Sequence, residues 1–143
     1  RGTVTIRSPN ADDNPVIKPN YLSTPSDKNI AAKSITLTRN IFATEAMRKY
    51  EPTEFLPGAE HRSPEALAEQ AGNISTSIFH PVGTAKMGTG KDAVVDRELN
   101  VYGIQNLRVV DASIMPKITS GNTNSPTLMI AEKAADMILQ NSR

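Results

Sequence analysis

The stretch Phe79-His80-Pro81-Val82-Gly83-Thr84-Ala85-Lys86-Met87-Gly88 divides the chain into two kinds of sequence. Just before it, Ile74 to Phe79 alternates and reads as a strand that delivers His80 at its end. Just after it, Pro81 to Asp92 is glycine-rich and irregular. Short strand-like pieces follow at Val94-Val95-Asp96 and Leu99-Asn100-Val101, with Tyr102-Gly103 as a turn.

Toward the N-terminus, Ser63, Pro64 and Gly72 punctuate a short helix as cap, first helical residue and close. Before that, Ile30, Ala31, Ile35, Leu37, Ile41, Phe42 and Met47 recur at roughly helical spacing. They predict a long amphipathic helix, capped by Ser26 and reaching about Tyr50, with Pro52 and Pro57-Gly58 in the loop beyond. Thr3 to Arg7 alternates and Val16-Ile17 restarts an extended segment; the turn-rich Ser8 to Pro15 joins them as two strands.

Toward the C-terminus, Leu107 to Asp111 is a brief apolar strand ending on a carboxylate, a run suited to a sheet covered on both faces. Pro126 opens a last helix to about Leu139, with Met129, Ile130, Lys133, Ala134, Met137 and Ile138 along one side.

Composition removes several classes of function. The 143 residues are 38% hydrophobic and 22% charged, as in a soluble globular protein. The formal net charge of +1, the interspersed signs and the absence of Trp argue against a nucleic-acid partner. With no Cys there is no disulfide, thiolate metal site or cysteine nucleophile. No apolar run approaches the ~20 residues of an integral membrane segment. The expected location is cytoplasmic, with peripheral membrane association left open. The chain lacks an initiating Met and opens directly into strand-like sequence, so it reads as a piece of a longer protein.

Three local signals bear on chemistry. His80 stands at a strand end before a glycine-rich turn, Asp111 ends an apolar strand within Val109-Val110-Asp111-Ala112-Ser113-Ile114-Met115-Pro116, and Ser120-Gly121-Asn122-Thr123-Asn124-Ser125-Pro126-Thr127 sets small polar residues before a helix. Taken singly, each has an ordinary structural reading. A strand-end histidine is commonly structural or solvated, Asp111 can cap a turn, and Asn122 and Asn124 suit a turn and an N-cap.

In combination and order, the three stretches resemble the C-terminal region of the glucose–methanol–choline (GMC) oxidoreductases, nearest the choline dehydrogenase-like branch. The family pattern H-P-x-G-T-x-x-M-G is met from His80, V-V-D-x-S-x-M-P from Val109, and G-N-x-N-x-P-T from Gly121, before a closing helix around Ile130 to Ile138. The opening Arg1-Gly2-Thr3-Val4 and Pro19-Asn20-Tyr21-Leu22 also look like that family. Two features stand apart: many relatives carry Cys where this chain has Ala85, and His61 matches no motif.

The resemblance implies an α+β architecture. Residues 1–85 would be part of a substrate-binding domain, an antiparallel sheet with covering helices. Residues 86–143 would return to the flavin domain with a strand and the C-terminal helix, leaving His80 at the junction. It also implies flavin adenine dinucleotide (FAD) as cofactor, a small-molecule alcohol as substrate, and oxidation of that alcohol with hydride transfer to flavin. His80 would be the catalytic base and Asn122 its catalytic companion on the substrate oxygen. Asp111, Ala112, Asn122 and Thr123 would lie against the cofactor. Imidazole can accept a proton near neutral pH, and an amide can hold an oxygen without competing for that proton. No G-x-G-x-x-G occurs, so the upstream part of the same protein is the expected partner that binds most of the FAD. Alone, the chain is expected neither to bind flavin tightly nor to turn over. The competing reading is a non-enzymatic binding or interaction module that reuses the fold, in which His80 and Asn122 would be of no consequence.

Overall fold

The computed structural model describes residues 1–141 and divides into two compact units, Arg1–Thr76 and a second from Ser77 onward. In the first unit β1 (Thr3–Thr5) pairs antiparallel with β2 (Val16–Lys18), Val4 opposite Ile17. β-Branched residues make up all of β1 and, with Val16 and Ile17, most of β2, as a pleated ribbon favours. Gly2 closes the ribbon, because a Cβ there would meet the Lys18 carbonyl oxygen at 2.5 Å.

Helix α1 runs Pro25–Phe42. Its cap is Thr24 rather than Ser26: the Thr24 hydroxyl accepts the Asp27 amide at 3.1 Å, and Pro25 takes the first helical position, where no N–H is needed. Asp27 complements the positive end of the helix and receives two hydrogen bonds from Arg1, at 2.8 and 3.1 Å. The helix stops at Phe42 instead of reaching Tyr50. The Thr44 amide and hydroxyl both donate to the Ile41 carbonyl, which ends the regular ladder before the one-turn helix α2, Glu45–Arg48.

Helix α3 (Pro64–Ile74) starts as its sequence predicts, with Ser63 accepting the Ala66 amide at 3.1 Å. It runs through Gly72 rather than closing there. It also takes Ile74 out of the expected strand; the Ile74–Phe79 segment forms no ladder among the described residues. Helices α1 and α3 pack together, and their buried positions are Ala32 on α1 and Leu67 and Ala71 on α3. Small residues at a helix contact let two axes approach closely.

The second unit is built on short backbone pairings rather than long strands. Met87 bridges Val95, Val95 bridges Val101, and Asn100 bridges Arg108. The Leu107–Asp111 stretch joins this meander through Val101 N–H to the Leu107 carbonyl (2.9 Å) and Val109 N–H to the Leu99 carbonyl (3.2 Å). Asp96 holds the tight return between two of these pieces, its carboxylate accepting the amides of Glu98 (2.8 Å) and Asn100 (2.9 Å). Burial opposes charge on Asp96, but those amides, the Asn100 side chain and the nearby Arg108 outweigh it and keep the carboxyl below its ordinary range.

A 3₁₀ turn at Ala112–Ile114 and helix α4 (Asn124–Asn141) complete the unit. Helix α4 begins two residues before Pro126, which falls in the first turn. The core is Val95, Leu99, Ile114 and Ala134, with Met87, Val101, Val109, Val110 and Ile130 against it. Ala134 and Ile130 sit four residues apart on α4, so a single face of that helix covers the meander. Mixed helices with a small antiparallel sheet are the α+β class that the sequence predicts. Among the described residues no helix is long and apolar enough to cross a membrane.

Candidate functional site

Phe79 turns the chain into the site with a φ of 62°, a left-handed conformation unusual for a bulky residue. Its amide is held by the Ser77 hydroxyl at 3.0 Å. His80 follows, half-buried, and the chain then runs alongside the segment after Asp111. The Ala85 amide donates to the Ser113 carbonyl at 3.0 Å, and the Met87 amide to the Ile114 carbonyl at 2.8 Å. The first two motif stretches are therefore bound backbone to backbone.

The third stretch meets the first through side chains. His80 Nδ1 lies 2.9 Å from the Thr123 hydroxyl, and Asn122 Nδ2 lies 3.3 Å from His80 Nε2. The imidazole thus stands between two successive residues at the entrance to α4. Asn122 is exposed and Thr123 buried, so the Nε2 side faces outward and the Nδ1 side faces the protein. Thr123 is itself fixed: its carbonyl accepts the Thr127 amide (3.0 Å) and the Thr127 hydroxyl (2.6 Å).

Asp111 is exposed and caps the 3₁₀ turn, its Oδ1 accepting the Ser113 amide at 2.8 Å. Ala112, half-buried, is the first residue of that turn. Among the described residues neither makes a hydrogen bond to His80 or Asn122; it is the next two residues, Ser113 and Ile114, that accept the amides of Ala85 and Met87. On the far side of the glycine-rich turn Lys86 pairs with Asp92, and its ammonium holds the Asp92 carboxyl below its usual range.

Thr123 is the residue whose part the sequence did not disclose. The family resemblance sets Thr123 against the cofactor, and nothing local shows that its hydroxyl would turn to His80. A groove of about 890 Å³ lies in the first unit, between α1 and the loop from Pro52 to Ala59, and contains none of these residues. Its inner edge is tied by Arg39, which donates to the Glu54 carboxylate (2.6 and 2.9 Å) and to the carbonyls of Gly58 and His61. Among the described residues no cluster of His, Asp or Glu could hold a metal ion.

Comparison with known proteins identifies the relatives of the chain as a whole. The family profile described as GMC oxidoreductase matches residues 1–131. The chain is 48% identical over 139 residues to the mitochondrial choline dehydrogenase of Homo sapiens, covering 96% of this chain and 23% of that protein. It is 44% identical to an alcohol dehydrogenase [acceptor] of Pseudomonas putida, over 98% of this chain and 25% of that one. Its fold superposes on an FAD-dependent oxidoreductase from Chaetomium thermophilum with a TM-score of 0.91 at 34% identity, over 99% of this chain and 25% of that one. The chain therefore spans about a quarter of the length of the relatives it matches.

Proposed function

The chain belongs to the GMC oxidoreductase family, and from that premise we propose that it is the base-bearing part of a longer, FAD-dependent enzyme that oxidises an alcohol to an aldehyde or ketone. The observation that carries this reading is the contact of His80 with both Asn122 and Thr123, across 42 and 43 residues of sequence. A structural histidine would not need its outward nitrogen beside an exposed amide.

His80 accepts the hydroxyl proton of the substrate at Nε2, the nitrogen turned toward Asn122. The Asn122 amide, released from its long 3.3 Å bond to that nitrogen, donates to the substrate oxygen and orients it. The proton must leave as hydride departs, because the forming carbonyl cannot keep it. FAD, when bound, supplies the acceptor for that hydride.

The residues present fit such a cofactor. Asp111 uses one carboxylate oxygen on Ser113 and keeps the other, which suits hydroxyl donors such as those of a ribityl chain. Ala112 beside it is small enough for close approach. At the start of α4 the amides of Asn124 and Ser125 have no acceptor within the helix and favour an electron-rich ring edge. We assign residues 1–85 to the substrate-binding domain and 86–143 to the flavin domain. The remaining three quarters of the polypeptide supplies the phosphate-cradling turn and the rest of the pocket.

The test is spectroscopic. The full-length protein should purify yellow, and an alcohol added without oxygen should bleach the flavin band. A colourless protein, or a flavin that no alcohol reduces, would favour the binding-module reading.

A further inference from the structure

We infer that Thr123 is a positioning residue for His80: its buried hydroxyl holds the Nδ1 proton and so leaves Nε2 as the nitrogen that takes the substrate proton. This deepens the assignment of His80 as base and rests on it.

Among the described residues Thr123 is the buried polar one, 7% exposed. A buried hydroxyl needs a partner, and here that partner is the imidazole, 2.9 Å away. The two hydrogen bonds from Thr127 to the Thr123 carbonyl anchor the residue at the helix entrance, so its hydroxyl is presented from a fixed backbone.

The tautomer follows from donor and acceptor inventory. Asn122 Nδ2 can only donate, and it faces Nε2 at 3.3 Å. Nε2 therefore offers its lone pair. A neutral imidazole then carries its one proton on Nδ1, where it donates to the Thr123 oxygen. When Nε2 takes a proton from the alcohol, the ring becomes a cation whose Nδ1–H is already paired. The hydroxyl thus orders the ring before the transfer and stabilises it afterwards, without touching the substrate. The reverse arrangement, with the proton on Nε2 and the Thr123 hydroxyl donating to Nδ1, would remove the base from the side where Asn122 holds the substrate.

The experiment uses the full-length flavin-loaded enzyme with ¹⁵N-labelled histidine, the His80 resonances assigned by their loss in His80→Gln. The expected wild-type spectrum has Nδ1 protonated and Nε2 bare. Thr123→Val, matched in shape but lacking the hydroxyl, should lose that single-tautomer pattern. It should also slow anaerobic flavin reduction at saturating alcohol by roughly 10- to 100-fold, with half-saturation by the alcohol unchanged. Thr123→Ser, which keeps the hydroxyl, should restore both. A wild-type His80 protonated on Nε2 overturns the inference, as does a Thr123→Val enzyme with wild-type tautomer and rate. If Thr123→Val does not retain flavin, the wild-type spectrum and Thr123→Ser still decide. Failure of the base assignment looks different: His80→Ala would then reduce flavin at the wild-type rate whatever the tautomer.

Discussion

A Cβ built on Gly83 would stand 3.1 Å from the carbonyl oxygen of Met115, and Gly83 holds a φ of 82°. Two demands, space and handedness, therefore fall on one position between His80 and the backbone bonds at Ala85 and Met87. A side chain there needs the Met115 carbonyl to give by a few tenths of an ångström and strains the left-handed turn. Gly83→Ala in the full-length protein should lose about 1–2 kcal/mol from the left-handed backbone alone, read as a lower denaturation midpoint. Unchanged stability would mean that the turn can relax without cost.

The central prediction concerns His80. His80→Ala should slow flavin reduction by about 100- to 10,000-fold, the usual contribution of a positioned base, while flavin stays bound. Free imidazole in the buffer should recover part of the loss. Asn122→Ala should cost less, since it removes a hydrogen bond and leaves the base. The measurement is anaerobic stopped-flow reduction at saturating alcohol, and a near-wild-type rate in His80→Ala would return that residue to a structural role.

The cap of α1 gives a paired comparison. Thr24 and Ser26 flank Pro25, and only Thr24 accepts the Asp27 amide. Thr24→Ala should destabilise the protein by about 1 kcal/mol, whereas Ser26→Ala should change it little. Thermal denaturation of the two variants side by side distinguishes them, and equal losses would place the cap elsewhere.

Acid should loosen the loop that borders the groove. The Arg39 guanidinium, hydrogen-bonded to Glu54, holds the Glu54 carboxyl below its ordinary range, with the Gly58 amide helping. A carboxylate depressed in the folded state stabilises folding fully above its unfolded value, about 4.3 for Glu. That contribution fades as pH falls through the lower folded value. The protection of the amides around Gly58 against hydrogen exchange, taken relative to the intrinsic rate at each pH, should therefore fall below about pH 4. Glu54→Gln should exchange faster already at neutral pH and lose this part of the acid dependence.

How much could be read without coordinates depended on the range of the forces involved. Ser63-Pro64 announces α3 correctly because a cap acts within three residues of itself. The same local logic leaves Thr24 and Ser26 as rivals, and Pro25 settles it by occupying the position that needs no N–H. Ile74 to Phe79 has the alternation of a strand, yet a strand is a ladder with a neighbour, and alternation cannot supply the neighbour. Leu107 to Asp111 finds its partner at Leu99 to Val101, inside the same meander.

The sequence by itself determined the class of fold, the two main helices of the first unit and the last helix, and the residues of the three motif stretches. These rest on periodicity, capping and motif order, which are properties of neighbours along the chain. Only the tertiary structure decided that His80 stands between Asn122 and Thr123, and which ring nitrogen each of them meets. Those contacts depend on backbone bonds at Ala85 and Met87, on the glycine that lets the turn pass Met115, and on the burial of one hydroxyl. Each joins residues far apart in the chain, and a side chain's rotamer is set by what surrounds it in space.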